Sequence, residues 1–285
     1  MNRYYTNLMN LQEADELKHL INKWHTLSEN LRNVPFTSPI LLPDMLLIAK
    51  SGTGITSLLN NLAEYLHLQG NLMEFYGDVK FFEFLLSYCA PSQPFTELQR
   101  LMMEVDNAAG FRSEFKGIVH IDIDEWLYHY EEKHFVSFME FLADHSDKWL
   151  IVLSVSTENE KEIHNLEAFI TMFLRIEKVT LSLPKTESLF DDIQTKLYEY
   201  DLHLNEDAKV LLHATIESLR KNKYFDGYKT IRCLCQDIVY TIYSKGKAKS
   251  TILTAEMLSD FSVNSDYVKR TIVKMEKVNK IGLVG

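Results

Sequence analysis

The chain has 285 residues, of which 46% are hydrophobic and 25% charged, so it is long enough to bury a full core and a smaller second domain. Its formal net charge of -10 argues against a surface built mainly to neutralise the phosphates of DNA or RNA. Three cysteines are too few for a disulfide framework, and the first residues lack the apolar region of a signal peptide. No apolar run approaches the ~20 residues that cross a bilayer. We therefore expect a soluble, cytoplasmic protein that is not bound to a membrane.

The first part of the chain is predicted to alternate helices with apolar strands. Apolar residues at three- and four-residue spacing predict a helix over 12–31, which the proline-rich stretch 35–43 ends. The stretch 80–109 is predicted to be helical, with breaks at Pro91 and Pro94. The remaining predicted elements are strands at 45–50, 72–76, 118–122, 149–155 and 179–183 and helices at 56–68 and 135–143. This alternation predicts an α/β fold with a parallel five-stranded sheet between helical layers.

After Pro184, the last proline, the sequence is predicted to be almost entirely helical. Helices are predicted over 186–200, 205–221 and 228–244, then a short extended segment at 252–254 and two helices that begin near Ala255 and Asn264. Asn205 is a typical N-cap, as is Asn264 or Ser265. We therefore expect an α/β domain with its amino-terminal helix over 1–185 and an all-α domain over 186–285.

The segment between the first predicted strand and the helix after it lies where a phosphate-binding loop belongs. Glycines in such a loop let backbone N–H groups converge on phosphate oxygens at a helix N-terminus. Gly52, Gly54 and Thr56 fit this pattern, but Ala49 takes the place of its first glycine and Ile55 that of the lysine that reaches the β- and γ-phosphates. Losing that lysine removes a contact worth about 1.5–3 kcal/mol. We therefore expect hydrolysis to suffer more than binding.

Two segments resemble the AAA+ ATPases, and within them the branch of the red-type Rubisco activase and a related sporulation protein. The stretch 45–64 matches that branch's strand, loop and helix without a gap. The stretch 225–234, FDGYKTIRCL, is similar to its F-x-N-A-R-x-V-R-x-L segment, which begins the lid helix with the sensor 2 arginine. In this register Lys229 takes the sensor 2 place and Arg232 the second arginine, three residues apart on one helical face. The resemblance implies a P-loop core with a helical lid that binds ATP or ADP together with Mg²⁺.

The resemblance assigns nucleotide contacts to the loop and to the first turn of the helix after it. Within them Thr56 is also implied to bind Mg²⁺. Lys50 has a further interpretation, because deviant P-loops that resemble those of ParA and MinD use an early lysine across a dimer. The residues implied to bind the nucleotide are Lys50, Ser51, Gly52, Thr53, Gly54, Ile55, Thr56, Ser57, Lys229 and Arg232.

The apolar strand at 118–122 resembles a Walker B strand, whose last carboxylate holds Mg²⁺ directly or through water. Asp122 takes that position, and Ile123 stands where the family has the glutamate that orients the attacking water. Glu125 is the candidate substitute, although strand alternation would send Asp124 to the side of Asp122. Alternatively, these acids are solvated residues that end a strand.

Further roles follow from the order of motifs in the family. Arg175 resembles the arginine finger that reaches the nucleotide of a neighbouring subunit. Polar residues after the fourth predicted strand are candidates for sensor 1, and 75–77 only faintly resembles a pore loop. The sensor 1 candidates are Ser156, Thr157 and Asn159. His120 is expected to be a packed or hydrogen-bonded histidine.

Three functions are compatible with these residues. The first is a nucleotide-binding AAA+ scaffold or regulatory subunit with weak or no hydrolysis, in a homo-oligomeric ring or beside an active paralogue. The second is an active ATPase that remodels a protein partner with Lys50, Asp124 or Glu125 in place of the missing groups. The third is a DNA-associated loader, suggested by Lys245, Lys247 and Lys249, although the acidic charge makes nucleic acid an unfavoured partner.

Overall fold

The computed structural model describes residues 3–11, 14–32, 41–69, 81–86, 117–147, 149–222, 224–246 and 251–281. The chain divides into two compact units. The first consists of Met1–Lys50 and Ile55–Ser182, and the second of Ser51–Gly54 and Leu183–Gly285. The loop segment Ser51–Gly54 therefore groups with the second unit, although the strand and helix on either side of it belong to the first.

A five-stranded parallel sheet forms the centre of the first unit, in the order β2-β3-β4-β1-β5. The strands are β1 (Asp44–Ala49), β2 (Phe81–Leu85), β3 (Gly117–Asp122), β4 (Trp149–Val155) and β5 (Ile176–Leu181). All residues of β1 and β4 are buried, as expected for parallel strands that are covered on both faces. The predicted α/β class with a five-stranded parallel sheet is confirmed.

Helices cover both faces of this sheet. They are α1 (Arg3–Met9), α2 (Asp15–Leu31), α3 (Ile55–Gln69), α4 (Lys133–His145) and α5 (Glu160–Ile170). Because side chains alternate along a strand, Met45 and Leu47 pack with α1, α2 and α3, whereas Leu46 and Ile48 pack with α4 and α5. Side chains of β3 and β4 also alternate between the two faces of the sheet. Polar side chains of neighbouring strands can therefore contact each other only when they lie on the same face.

One prediction in the first unit is wrong. The run that begins at Phe81 was expected to be helical, but Phe81–Leu85 is strand β2, paired with β3. Phe82 and Phe84 pack on one core and Phe81 on the other, so the run has the period of a strand. Helices α1 and α5 were not predicted. The predicted strand at 72–76, the pore-loop resemblance at 75–77 and the rest of the predicted helical stretch lie outside the described residues.

The second unit is mainly helical. It contains α6 (Thr186–Glu199), α7 (Glu206–Arg220), α8 (Gly227–Ser244) and α9 (Asp266–Ile281), with a short parallel pair of strands, β6 (Leu202–Leu204) and β7 (Thr251–Leu253). Asn205 is confirmed as an N-cap, since its Oδ1 accepts the Ala208 N–H at 2.9 Å. Ser265 likewise caps α9 by accepting the Val268 N–H at 3.2 Å.

The predicted helix near Ala255 is wrong. After β7 the chain forms turns and a single 3-10 turn at Ser259–Phe261, which buries Leu258 and Phe261 before the backbone becomes extended at Ser262.

Among the helices that the structure describes, none combines the length and the apolar character needed to span a bilayer.

Candidate functional site

The carboxyl ends of β1, β3 and β4 meet at one edge of the sheet. Strand β4 pairs with both β1 and β3, so the ends of β1 and β3 are two strand spacings apart, or about 10 Å. Ligands of open α/β sheets bind outside this edge. The first turn of α3 and the acids after β3 lie here, and they form the candidate site of the first unit.

A continuous line of polar contacts crosses this edge on the face covered by α3. Thr56 Oγ1 donates to Glu83 Oε1 at 2.9 Å and to Oε2 at 3.0 Å. His120 Nδ1 lies 3.0 Å from Glu83 Oε1, and His120 Nε2 lies 2.9 Å from Ser154 Oγ. The line therefore connects α3, β2, β3 and β4 through side chains, and the expectation that His120 is a hydrogen-bonded core histidine is confirmed.

Burial and charge distinguish the groups in this line. His120 and Ser154 are each 4% exposed, so the hydrogen bond between them satisfies polar atoms that water hardly reaches. The hydrogen bond from His120, with a smaller contribution from Thr56, holds the pKa of Glu83 below its ordinary value despite partial burial. Glu83 is thus a carboxylate at neutral pH and adds a negative charge beside Thr56.

The acids after β3 have separate positions. Asp122 Oδ1 accepts the Asp124 N–H at 3.0 Å, and burial raises the pKa of Asp122 above its ordinary value. Asp124 Oδ1 accepts the Ser156 N–H at 2.6 Å and so joins the turn after β3 to the end of β4. Glu125 is exposed in the 3-10 turn at 124–126. Ile123, which stands where the Walker B strand that β3 resembles is followed by a glutamate, is fully buried in the core.

The first-unit residues around the loop are engaged in local contacts. Lys50 Nζ lies 2.6 Å from Glu158 Oε1, an ion pair whose two side chains are 43% and 74% exposed. Ile55 begins α3 and packs against the core formed by β1 and α3. Ser57 is exposed in the first turn, and its carbonyl accepts the Asn61 side-chain N–H at 2.9 Å.

In the second unit, the loop segment Ser51–Gly54 contacts the start of α8. Ser51 Oγ donates to Asp226 Oδ1 at 2.7 Å, and the Gly52 carbonyl accepts the Tyr228 N–H at 3.1 Å. Gly52 and Gly54 have positive φ values of 83° and 87°, the left-handed region that glycine tolerates. Thr53, between them, is half-buried.

The two cations that resemble sensor 2 both lie on α8. Lys229 is 78% exposed at its side chain, and its Nζ lies 3.2 Å from Asp226 Oδ2. Arg232 is exposed and lies three residues further along the helix. Asp226 therefore engages both the Ser51 hydroxyl and Lys229, the cation predicted for the sensor 2 place.

Arg175 lies where the strands of the sheet begin, whereas Thr56 and Asp122 lie where the strands end. It immediately precedes β5, is exposed, and its carbonyl accepts the Asp44 N–H at 2.8 Å where β1 begins. Strand β1 has six residues, so the two edges are about 20 Å apart. Arg175 therefore cannot reach the carboxyl edge of its own sheet.

Two of the three sensor 1 candidates, Thr157 and Asn159, contact the first turn of helix α5. Thr157 Oγ1 donates to Glu162 Oε2 at 2.9 Å, and Asn159 caps α5 by accepting the Lys161 N–H at 3.1 Å. Ser154, which was not predicted, points to His120 instead. Glu83 and Asp226 were missed as well, although a lone acid in an aromatic strand is a recognisable signal for Glu83.

The oxygen donors at the carboxyl edge suit a hard divalent cation. Thr56 offers a hydroxyl, and Asp122 and Glu83 offer carboxylates, which are the ligand types that Mg²⁺ prefers. Within the described ranges, His, Cys, Asp and Glu form no group of three already gathered to hold a metal. Mg²⁺ would therefore be held by one or two of these oxygens together with phosphate, and not by an all-protein cage.

The architecture is similar to that of a solved AAA+ ATPase, C. elegans PCH-2. The two structures superpose with a TM-score of 0.55 over 90% of this chain and 69% of that chain, at 17% sequence identity. No protein-family model matches the chain, and no curated protein matches it. At this identity the likeness concerns the fold. The chain therefore has the AAA+ fold, a P-loop α/β unit with a five-stranded parallel sheet and a helical unit after it.

Proposed function

We propose that the chain is a nucleotide-binding AAA+ module with weak or no ATP hydrolysis that acts as a scaffold or regulatory subunit of an oligomer. The observation that carries this proposal is the position of Ile55. It begins α3 where the family's lysine reaches the β- and γ-phosphates, and its aliphatic side chain packs against the core. Phosphate binding would rely on the loop backbone, the helix N-terminus and a metal ion.

The charge at the carboxyl edge supports binding of a metal-nucleotide complex. Glu83, Asp122, Asp124 and Glu125 are all acidic, and Lys50 is paired with Glu158. A free polyphosphate would be repelled by these carboxylates, whereas Mg²⁺ offsets their charge and bridges them to phosphate. We therefore propose ATP or ADP with Mg²⁺ as the ligand, held by the hydroxyl of Thr56 and the carboxylate of Asp122.

The residues available for hydrolysis favour low turnover. An attacking water needs a carboxylate within hydrogen-bond reach that can accept a proton. Asp124 is committed to the Ser156 N–H, and Glu125 lies exposed in the turn. Lys50, the other substitute, is paired with Glu158. These contacts make an active ATPase the less favoured function.

The position of Arg175 supports an oligomer. It is exposed about 20 Å from the carboxyl edge of its own sheet, so a role at a phosphate requires a second subunit. A heterologous contact of this kind generates a ring when the rotation closes. In a ring with an active paralogue, Arg175 would stimulate the neighbour even though its own subunit hydrolyses little.

A DNA-associated loader is not favoured. Lys245 lies 3.6 Å from Asp260, so part of its charge is offset, while Lys247 and Lys249 lie outside the described residues. The net charge of -10 opposes phosphate-backbone binding. Retention on DNA at low salt that is lost when the three lysines are replaced would reverse this conclusion.

Calorimetric titration of the purified protein with ATP and ADP, with Mg²⁺ or with EDTA, tests the proposal. We expect Kd values between about 1 μM and 1 mM with Mg²⁺ and weaker binding in EDTA. Asp122→Asn and Thr56→Val should weaken Mg²⁺-dependent binding, whereas Asp144→Asn, an exposed acid of α4, should not. Phosphate release should remain at background in the parent. No binding at millimolar nucleotide, or rapid turnover by the parent, would contradict the proposal.

A further inference from the structure

The segment Asp226–Lys229 contacts the loop segment Ser51–Gly54 through the Ser51 hydroxyl and the Gly52 carbonyl. We propose that this contact is autoinhibitory, so that nucleotide binds only when Asp226–Lys229 withdraws from the loop. The inference rests on the proposed function, because it concerns regulation of the same loop. All residues of both segments belong to the second unit.

The backbones of the two segments approach so closely that both positions require glycine. A Cβ on Gly52 would lie 2.4 Å from the Asp226 carbonyl carbon, and a Cβ on Gly227 would lie 2.1 Å from the Gly52 carbonyl oxygen. Both glycines also have positive φ, at 83° and 42°. Across from Gly54, the ring of Tyr228 lies 3.4 Å from the position of a Cβ. Ser51, Gly52 and Gly54 of the loop are therefore each in contact with the segment Asp226–Lys229.

The Asp226 carboxylate engages two groups that suit an anionic ligand. One oxygen accepts the Ser51 hydroxyl at 2.7 Å, and the other lies 3.2 Å from Lys229 Nζ. Asp226 is the N-cap residue of α8, yet its carboxylate is directed to these two partners. An internal carboxylate that binds a loop hydroxyl and the cation in the sensor 2 place competes with phosphate for both.

The hydrogen bond of the Tyr228 N–H is present only while the two segments are in contact. The first N–H groups of a helix lack partners within the helix, and the Gly52 carbonyl accepts that of Tyr228 at 3.1 Å. If the contact must open before nucleotide binds, the apparent affinity is the intrinsic affinity reduced by the open fraction. Weakening the contact then raises affinity without any new contact to the ligand.

The experiment compares three single substitutions by titration with Mg·ATP and with inorganic triphosphate. Asp226→Asn keeps the shape of the side chain and removes its charge, and Gly227→Ala introduces the backbone collision. Asp260→Asn is the matched control, since it removes an exposed carboxylate from the same unit. We expect about three- to tenfold tighter binding for Asp226→Asn and for Gly227→Ala, and no change for Asp260→Asn. Thermal melts confirm that each variant is folded.

Amide hydrogen exchange of the parent gives an independent readout. Exchange at Tyr228 should accelerate when Mg·ATP is added, and it should already be faster in ligand-free Gly227→Ala. Parent-like affinity in both variants, with Tyr228 still protected in the bound parent, would overturn the autoinhibitory contact and leave the proposed function standing. Failure of the parent and all variants to bind either ligand would overturn both.

Discussion

The hydroxyl of Thr56 donates to both carboxylate oxygens of Glu83, at 2.9 and 3.0 Å, and so connects the first turn of α3 to strand β2. The same hydroxyl is the proposed Mg²⁺ ligand. An arriving ion must therefore either displace Glu83 from Thr56 or share Glu83 as an additional ligand. In the second case Glu83 would link the proposed metal site to the buried pair His120 and Ser154.

Replacing Glu83 with Gln should destabilise the protein at neutral pH, because the hydrogen bond to His120 loses its charge. The Glu83 side chain is 39% exposed, so the expected loss of stability is only about 1 kcal/mol. The pKa of Glu83 is lowered in the folded state, so its contribution is present above the ordinary glutamate pKa of 4.5 and is lost as the pH falls through the lower folded value. Urea unfolding of both proteins at about pH 7 and about pH 4 should show the difference shrinking in acid.

The control for this prediction is Glu177→Gln. Glu177 has a similar exposure of 41% and pairs with Lys23 at 3.1 Å, but it takes no part in the line of contacts to His120. Its replacement should change stability by less than about 0.5 kcal/mol. Equal effects of the two substitutions would mean that Glu83 acts only as a surface ion-pair partner.

Asp44 should make the protein less stable as the pH rises. It is 4% exposed at the start of β1, and burial raises its pKa to about 7, opposed by the Ile151 N–H that donates to it at 2.8 Å. Its protonated form therefore contributes stability that is fully present below the ordinary aspartate pKa of 3.8 and is lost as the pH rises to about 7. Asp44→Asn keeps an acceptor for Ile151 and carries no charge, so it should be more stable than the parent by about 2–4 kcal/mol at about pH 8.

Urea unfolding midpoints measured between about pH 5 and pH 8.5 provide the test of Asp44→Asn. The advantage of the variant should grow over this range and level off above the raised pKa. Asp15→Asn removes a carboxylate that is 94% exposed, and its difference from the parent should stay nearly constant with pH. A pH-independent effect of Asp44→Asn would show that Asp44 titrates normally in the fold.

The buried pair of His120 and Ser154 should show strong energetic coupling. Ser154→Ala leaves His120 Nε2 without its partner at 2.9 Å in a position where water has little access, which should cost about 1–3 kcal/mol. In a His120→Phe background the same change should cost much less. A double-mutant cycle from urea unfolding measures this coupling, and additive effects would contradict it.

The fold was predictable where apolar runs were continuous. Strands β1, β3 and β4 are buried on both faces, so unbroken runs such as 149–155 identify them. Strand β2 was not recognised because a five-residue apolar run cannot be distinguished from a helix segment by its periodicity alone. Its Glu83 contacts His120, which lies 37 residues away in the sequence. A contact of that kind carries no local signal.

The candidate site was predictable as a set of residue types but not as a set of contacts. The spacing of Gly52, Gly54 and Thr56 predicts a phosphate-binding loop, which stays a prediction, whereas the predicted fold is confirmed. The sequence could not show that Ser51 bonds Asp226, 175 residues away, since the pattern of a loop does not reveal what packs against it. It also could not show that Asp124 would be committed to the Ser156 N–H, because the strand ends in a turn there.

Restoring a lysine at position 55 should reveal how much of the phosphate site is intact. In Ile55→Lys, an ammonium at the start of α3 can reach the β- and γ-phosphates and add a contact of about 1.5–3 kcal/mol, or roughly ten- to a hundredfold in affinity. The same change withdraws a half-buried side chain from the core, so we expect a loss of stability of about 1 kcal/mol. Titration with Mg·ATP and urea unfolding measure the two effects separately.

Ile252→Lys makes the same change of charge at an isoleucine of β7 that is 64% exposed, and its affinity for Mg·ATP should equal that of the parent. A gain in Ile55→Lys alone would therefore come from the position of the ammonium and not from net charge. Combining Ile55→Lys with Asp226→Asn should raise affinity further, since one change adds a phosphate contact and the other frees the loop. Parent-like affinity in Ile55→Lys and in the double variant would mean that the loop does not receive a phosphate at all.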